Sequence, residues 1–257
     1  MDYLIIALTV LFGAGLTFFS GFGLGTLMLP VFALFFPMEV AVGATAVVHL
    51  TNNLFKFGLV YKHIHFSTLW RFGIPALIAA VLGGLTLRYL GKFESIYSYS
   101  VGETFVEVSG IKFVVGMLMI FFAWFDLDPR FSNWQLEKKW IPFGGLLSGF
   151  FGGISGHQGA FRAAFLTKAG LTKEQFIGTS NSIALIIDVA RISVYAKTLN
   201  LVSLQNEKGL LITGIVFAFT GTYFGKELLK KTTLKGIQRI VGALLLILGF
   251  LFVLGIL

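Results

Sequence analysis

The chain alternates long apolar runs with short clusters of charged residues, and the runs predict membrane-spanning helices. No charged residue lies between Asp2 and Glu39. A straight helix of that length would be about 50 Å long at about 1.5 Å per residue, whereas the hydrocarbon core of a bilayer is about 30 Å thick. The tract must therefore fold back. The predicted break is the glycine-rich stretch Ser20–Gly25, because glycine permits non-helical backbone angles.

The other apolar runs predict six full spans and a second folded-back segment. The six spans lie near 40–60, 68–90, 111–127, 176–196, 208–225 and 236–257. Region 141–170 is apolar but too short for two full spans, and it is interrupted by the polar stretch Ser155–Gly159. We expect it to form two short helices joined as a hairpin.

Composition supports an all-α polytopic membrane protein with the lipid bilayer as its solvent. Of the 257 residues, 56% are hydrophobic and 12% are charged, and the mean hydropathy is +0.86. Few soluble domains could bury so much apolar surface. The formal net charge of +8 is typical of basic cytoplasmic loops in a membrane protein and does not indicate a nucleic-acid partner.

Several function classes have no support in the sequence. The chain contains no cysteine, which excludes disulfides, thiolate metal ligands and cysteine nucleophiles. It contains no P-loop pattern, so ATP coupling within this chain is unsupported, and no cofactor or metal is expected. Ser155 and His157 stand two residues apart on a glycine turn, a spacing that does not set up a Ser–His relay. An enzyme is not expected.

The two halves of the chain match when the numbering is shifted by 135. The coinciding landmarks are Ser20-Gly21 with Ser155-Gly156, Gly43-Ala44-Thr45 with Gly178-Thr179-Ser180, Asn53 with Asp188, Lys56 with Arg191, and Lys62 with Lys197. Each half then reads as a broken-helix hairpin followed by three transmembrane helices. This order predicts a duplication, which is typical of transporters.

The parity of the segments makes the second repeat inverted relative to the first. We predict a first membrane repeat at 1–127, a cytoplasmic linker at 128–140 and an inverted repeat at 141–257. With this count the basic loops all fall on one side, which the positive-inside rule makes cytoplasmic. Both termini are then predicted to lie on the outer, non-cytoplasmic side of the plasma (inner) membrane.

These features together resemble one known family. Two glycine-rich hairpins, each followed about twenty residues later by a motif of small residues (Gly43-Ala44-Thr45 and Gly178-Thr179-Ser180), are similar to the TauE/SafE sulfite-exporter family. The segment HLTNNLFKFGLVYKHIHF is also similar to that family's first repeat. The resemblance implies a carrier of sulfite, sulfonates or related organosulfur anions. The chain departs from it in the second hairpin, which carries His157, Gln158 and Arg162 where the family is commonly uncharged.

The hairpin tips are the predicted anion site, because broken helices offer N–H groups and positive dipole ends near the midplane. The candidates there are Ser20, Gly21, Gly23, Ser155, Gly156, His157, Gln158 and Arg162. Arg162 is predicted to hold the anion, since a guanidinium matches a sulfonate or carboxylate with two parallel hydrogen bonds. The alternatives are that Arg162 extends to the lipid headgroups and that His157 and Gln158 make no ligand contact.

Polar residues within the spans supply the remaining candidates. His49, Asn52, Asn53 and Lys56 have helical spacing and form one polar stripe. Thr45, Ser180 and Asn181 could reach the tips or bond between helices. Asp188 and Arg191 are three residues apart, so the sequence favours an internal ion pair, with a proton-coupling role for Asp188 or His157 as the alternative.

A secondary transporter of a small sulfur-containing anion, with protons as a candidate coupling ion, accounts for most of these features. Two alternatives remain open: an hourglass-shaped anion channel without coupling, and a transporter of a small carboxylate. The exact anion, the direction of transport and the oligomeric state are not determined by the sequence.

Overall fold

In the computed structural model, the described residues are 2–20, 24–128, 130, 136–196, 208–228 and 234–257. They form ten α-helices and one β-hairpin. The helices are α1 (Asp2–Ser20), α2 (Leu24–Ala33), α3 (Met38–Val60), α4 (Phe66–Leu90), α5 (Gly110–Leu127), α6 (Ile141–Ser155), α7 (Gly159–Leu166), α8 (Lys173–Tyr195), α9 (Lys208–Leu228) and α10 (Leu234–Val253).

Several of these helices are suited to a membrane. Within the described residues, three are long and apolar enough to cross one: Phe66–Leu90, Lys173–Tyr195 and Lys208–Gly225. Shorter apolar helical segments are Tyr3–Thr17, Leu24–Ala33, Gly110–Phe125 and Gly242–Val253. The predicted fold class, an all-α polytopic membrane protein, is confirmed.

The folded-back segments also occur where breaks were predicted. In the second hairpin, α6 ends at Ser155, Gly156 takes a left-handed conformation with φ of +83°, and α7 begins at Gly159. In the first hairpin, α1 ends at Ser20 and α2 begins at Leu24. Residues 21–23, which include the predicted site residues Gly21 and Gly23, lie outside the described residues, as does the side chain of Ser20.

Element boundaries and packing repeat between the halves. With a shift of 135, α3 and α8 share both bounds, α1 ends where α6 ends, and α2 begins where α7 begins. The helix contacts also correspond: α1 packs on α9 as α6 packs on α4, while α3 packs on α8 and α5 on α10. These correspondences support the duplication. The inversion of one half and the domain limits at 127 and 140 stay predictions.

Helices α4 and α6, which lie in different halves of the chain, approach each other closely through glycine. On α6, Gly145, Gly149 and Gly153 lie one helical turn apart, and a Cβ at each would collide with the backbone carbonyl of Phe72, Ala76 or Ala80 on α4. Small residues at such contacts let helix backbones touch, which is how membrane helices gain packing energy. The α4–α6 contact therefore fixes the position of the second hairpin.

A β-hairpin that the apolar pattern did not predict joins α4 to α5. Strands β1 (Tyr97–Val101) and β2 (Thr104–Val108) pair antiparallel. The phenols of Tyr97 and Tyr99 donate hydrogen bonds to the carbonyls of Val253 and Leu254, at the end of α10. The hairpin thus satisfies carbonyl groups that the helix end leaves without an intrahelical partner.

Candidate functional site

The site is built on α3 and α8. These two helices cross at residues that the numbering shift of 135 pairs with each other. Helix α8 starts with a capping box, in which the Thr172 hydroxyl accepts from the Gln175 N–H and the Gln175 amide accepts from the Thr172 N–H. At the crossing, the amide of Asn53 donates to Oδ2 of Asp188 at 2.7 Å. The numbering shift of 135 relates these two residues, so the polar stripes of α3 and α8 meet at the crossing.

A partly open cavity lies beside this crossing. Its described lining residues are Thr17, Leu24, His49, Asn53, Lys56, Val60, Arg162, Phe176, Ile177, Ser180, Asn181 and Ala184. Six of them are residues that the sequence proposed: His49, Asn53, Lys56, Arg162, Ser180 and Asn181. The cavity therefore brings together the polar stripe of α3, the small polar residues of α8 and the arginine of α7.

Asp188 is the centre of the buried network behind the cavity. Its carboxylate is fully buried and lies 2.9 Å from Nη2 and 3.1 Å from Nε of Arg191. Its other neighbours are Nδ1 of His49 at 2.7 Å, Nδ2 of Asn53 at 2.7 Å and Nε2 of Gln158 at 3.2 Å. The internal ion pair proposed from the spacing of Asp188 and Arg191 is thus present in the structure.

Arg162 is buried at the cavity wall, and two of its hydrogen bonds are to buried polar side chains. Its Nε donates to Oγ of Ser180 at 2.7 Å, and its Nη1 donates to Oε1 of Gln158 at 2.8 Å. Because the Gln158 amide also donates to Asp188, a single side chain connects the cavity arginine to the buried carboxylate. These bonds fix the plane of the guanidinium at the cavity.

The described parts of the two hairpins lie next to each other. A Cβ placed on Gly25, in the first turn of α2, would lie 3.6 Å from the carbonyl oxygen of Gly156 and 3.6 Å from the ring of His49. A Cβ on Gly156 would lie 2.6 Å from Nη1 of Arg191, so glycine at this position lets the guanidinium pack on the backbone. The depth of this contact in the membrane stays a prediction.

His157 and Ser155 are not among the described residues that line the cavity. The Ser155 hydroxyl lies 2.8 Å from Nδ1 of His157, and the imidazole stacks on Phe122 with ring centres 5.1 Å apart. Both side chains are buried. The structure therefore places them in an aromatic cluster against α5, and their proposed contact with an anion stays a prediction.

Thr45 and Asn52 are likewise buried without lining the cavity. The side-chain oxygen Oδ1 of Asn52 accepts from the hydroxyl of Thr222 at 2.8 Å, which directs the Asn52 side chain toward α9. Thr45 is fully buried within α3. Helical spacing correctly grouped Asn52 with His49 and Asn53 on one buried face, but that face is wide enough to meet two different helices.

Sequence reasoning missed the other six lining residues, which are apolar except for Thr17. Thr17, Leu24, Val60, Phe176, Ile177 and Ala184 line the cavity without any polar cluster to mark them. One signal was available: Ala184 is the residue that the shift of 135 pairs with His49, and both line the cavity.

Comparison with known proteins agrees with the resemblance noted in the sequence. A model of the family described as sulfite exporter TauE/SafE matches residues 5–252. Neither the curated proteins nor the solved structures gave a match. Members of the matched family are transporters rather than enzymes, and the match spans nearly the whole chain. This chain therefore belongs to the TauE/SafE sulfite exporter family of membrane transporters.

Proposed function

We propose that this protein moves a small sulfur-containing anion, such as sulfite or a sulfonate, across the plasma membrane and binds it in the cavity between α3, α7 and α8. The observation that carries the proposal is the charge of the buried residues. Among the described residues, the buried charged side chains are Lys56, Arg162, Arg191 and Asp188. With three cations and one carboxylate, this group of buried side chains has an excess of positive charge.

The position of the excess charge points to the cavity. Two of the three cations, Lys56 and Arg162, line the cavity wall, and Arg191 lies behind it against Asp188. Burying cations away from water is costly, and a bound anion offsets that cost. Ser180 and Asn181 add small polar groups to the same wall, which suits an oxyanion with several hydrogen-bond acceptors.

Binding can be tested by thermal stabilisation of the purified protein with sulfite, thiosulfate, methanesulfonate and acetate. A ligand that binds only the folded state raises its stability by mass action. Stabilisation by the sulfur oxyanions and not by acetate supports the proposal. Stabilisation by acetate alone would favour a carboxylate transporter, and stabilisation by none of the four would contradict an anion cavity.

Arg162→Ala is expected to weaken binding of the best anion of this panel at least about tenfold, which corresponds to about 1.4 kcal/mol. The variant removes charge-assisted hydrogen bonds that water cannot replace in a buried cavity. Arg162→Lys should recover only part of the affinity, because lysine keeps the charge but not the planar donor geometry. The measurement is the anion dissociation constant of each variant.

Arg71→Ala is the matched control, since Arg71 is an exposed arginine on α4. It should bind like the unmodified protein. If Arg162→Ala also binds with unchanged affinity, Arg162 has a structural role and Lys56 becomes the anchor to test.

The proposed orientation predicts which loops react from outside the cell. Cysteine at Ser98, which is exposed in the β-hairpin, should react with an impermeant thiol reagent on intact cells. Cysteine at Lys139, whose side chain is also exposed, should be protected because it belongs to a basic loop predicted to be cytoplasmic. The unmodified chain has no cysteine and gives the background. The reverse labelling pattern would contradict the proposed orientation of both termini.

A further inference from the structure

The short contact between His49 and Asp188 requires a proton between the two side chains. Nδ1 of His49 lies 2.7 Å from Oδ2 of Asp188, and both side chains are buried. A nitrogen lone pair facing a carboxylate lone pair at that distance would repel it, so a proton must lie between the two atoms. The pair therefore holds one proton, on Nδ1 of a neutral imidazole that donates to the ionised carboxylate of Asp188.

The same imidazole belongs to the wall of the cavity. His49 lines it together with Lys56 and Arg162, while Asp188 lies behind, fully buried. The pair thus connects the cavity, which is partly open, to the carboxylate at the centre of the buried network. A second proton on this pair adds one positive charge beside the place proposed for the anion.

From this geometry we propose that the His49–Asp188 pair is a proton-binding site coupled to the anion cavity, so that a proton binds together with each anion. The inference rests on the proposed function and assigns its coupling ion. Opposite charges a few ångströms apart attract strongly where water is excluded. Because such coupling is reciprocal, the proton raises affinity for the anion by the same factor by which the anion raises affinity for the proton.

The other charged groups around His49 are consistent with this role. Those that face it are Lys56 on its own helix, Asp188 and Arg191 on α8, and Arg162 across the cavity. Helix α2 and residues 209–225 of α9, which also pack on α3, contain no charged residue. Among the described residues, neither α5 nor the turn at 61–63 contributes a charge to this environment. Asp188 is therefore the one anion near the imidazole within the described structure, and a bound substrate would be the second.

His157, the other histidine considered for coupling, has a different environment. It contacts Ser155 and the aromatic ring of Phe122 and does not line the cavity. A proton on His157 would not add charge at the cavity wall. The two histidines therefore give opposite predictions for the same measurement.

The test measures the affinity of the purified protein for methanesulfonate and thiosulfate between about pH 5.5 and about pH 8.5, where histidine titrates. The charge of each probe stays constant over this range, so any pH dependence belongs to the protein. The unmodified protein should lose affinity as the pH rises, by up to about tenfold per pH unit for one linked proton. In weakly buffered solution, adding either probe should make the medium more alkaline as protons are taken up.

His49→Gln should bind both probes more weakly than the unmodified protein at low pH, with an affinity that no longer varies with pH and with no proton uptake. His63→Gln, which changes an exposed histidine, should behave like the unmodified protein. The proposal is overturned if the unmodified protein binds the probes without proton uptake, if His49→Gln keeps the full pH dependence, or if His157→Gln alone abolishes it. Absence of proton uptake by the unmodified protein overturns the proposal even if His49→Gln fails to fold. If none of the four anions of the stabilisation panel binds, the anion cavity itself is wrong and the inference fails with it.

Discussion

Asp188→Asn is expected to destabilise the folded protein by about 3–5 kcal/mol, the usual cost of removing one partner from a buried ion pair. Arg191 is fully buried against Asp188 and would keep its charge without the carboxylate. The new amide would also present a donor to His49, Asn53 or Gln158, which all approach the carboxylate with nitrogen atoms. Reversible denaturant unfolding in detergent micelles measures the change.

The double variant Asp188→Asn with Arg191→Gln should recover part of the loss, because the unpaired charge is then gone. Glu174→Gln provides the matched control, since Glu174 is an exposed acidic residue in the first turn of the same helix. An Asp188→Asn protein as stable as Glu174→Gln would mean that the ion pair does not hold α8 in place. A double variant less stable than Asp188→Asn would show that Arg191 has another essential contact.

The helices at the centre of the fold could be predicted closely because charges mark their ends. The predicted span 40–60 is α3 (Met38–Val60), and 176–196 is α8 (Lys173–Tyr195). The early start of α8 has a local cause: its first turn is polar and capped by Thr172, so an apolar pattern begins after the helix does. Hydropathy locates the part of a helix in lipid, while capping chemistry decides where the helix begins.

The β-hairpin was missed although its sequence carries a signal. Tyr97, Tyr99 and Val101 alternate with serine, which is the period of a strand. Val101 pairs with Thr104 around a two-residue turn that includes Gly102 at φ of +62°. The search for apolar runs of membrane length passes over a short alternating segment, and its role at the end of α10 depends on a contact distant in sequence.

The candidate site was predictable in its residue types but not in its pairings. A single arginine within an apolar run had to be buried, and Gln158 stands four residues before it on the same face of the chain. The bond from Arg162 to Ser180 and the contact of His49 with Asp188 depend on how α7 and α3 are placed against α8. Sequence periodicity gives the face of a helix and not its register against a neighbour.

One pairing could still have been foreseen from the duplication. Under a two-fold relation, equivalent residues touch only where they lie near the axis, and Asn53 and Asp188 are such equivalents in direct contact. At this contact the two halves carry different groups: an amide, Asn53, on α3 and a carboxylate, Asp188, on α8. That difference lets Asn53 donate to Asp188, whereas two carboxylates at this position would repel each other.

Gly149→Leu is expected to have the other large effect, a loss of at least about 3 kcal/mol of stability or failure to fold. A Cβ at Gly149 would collide with the carbonyl oxygen of Ala76 and would lie 2.7 Å from its Cα. Backbone atoms cannot rotate out of the way as a flexible side chain can, so α6 would have to move away from α4. Because α6 leads directly into Gly156 and Gln158, the same movement should also disturb the anion cavity.

Gly58→Leu is the matched control for this substitution. Gly58 also lies within a helix and is exposed, and a Cβ there would meet nothing within 4 Å. The same change at that position should leave stability unaltered or raise it by up to about 1 kcal/mol, because leucine has the higher helix propensity. Thermal unfolding and the monodisperse fraction in detergent compare the two variants.

Equal stability of Gly149→Leu and Gly58→Leu would show that α4 and α6 are not in backbone contact, and the position of the second hairpin would then need another explanation. A graded loss through Gly149→Ala to Gly149→Leu is the result expected if the close approach of these two backbones holds the hairpin tip against α3 and α8.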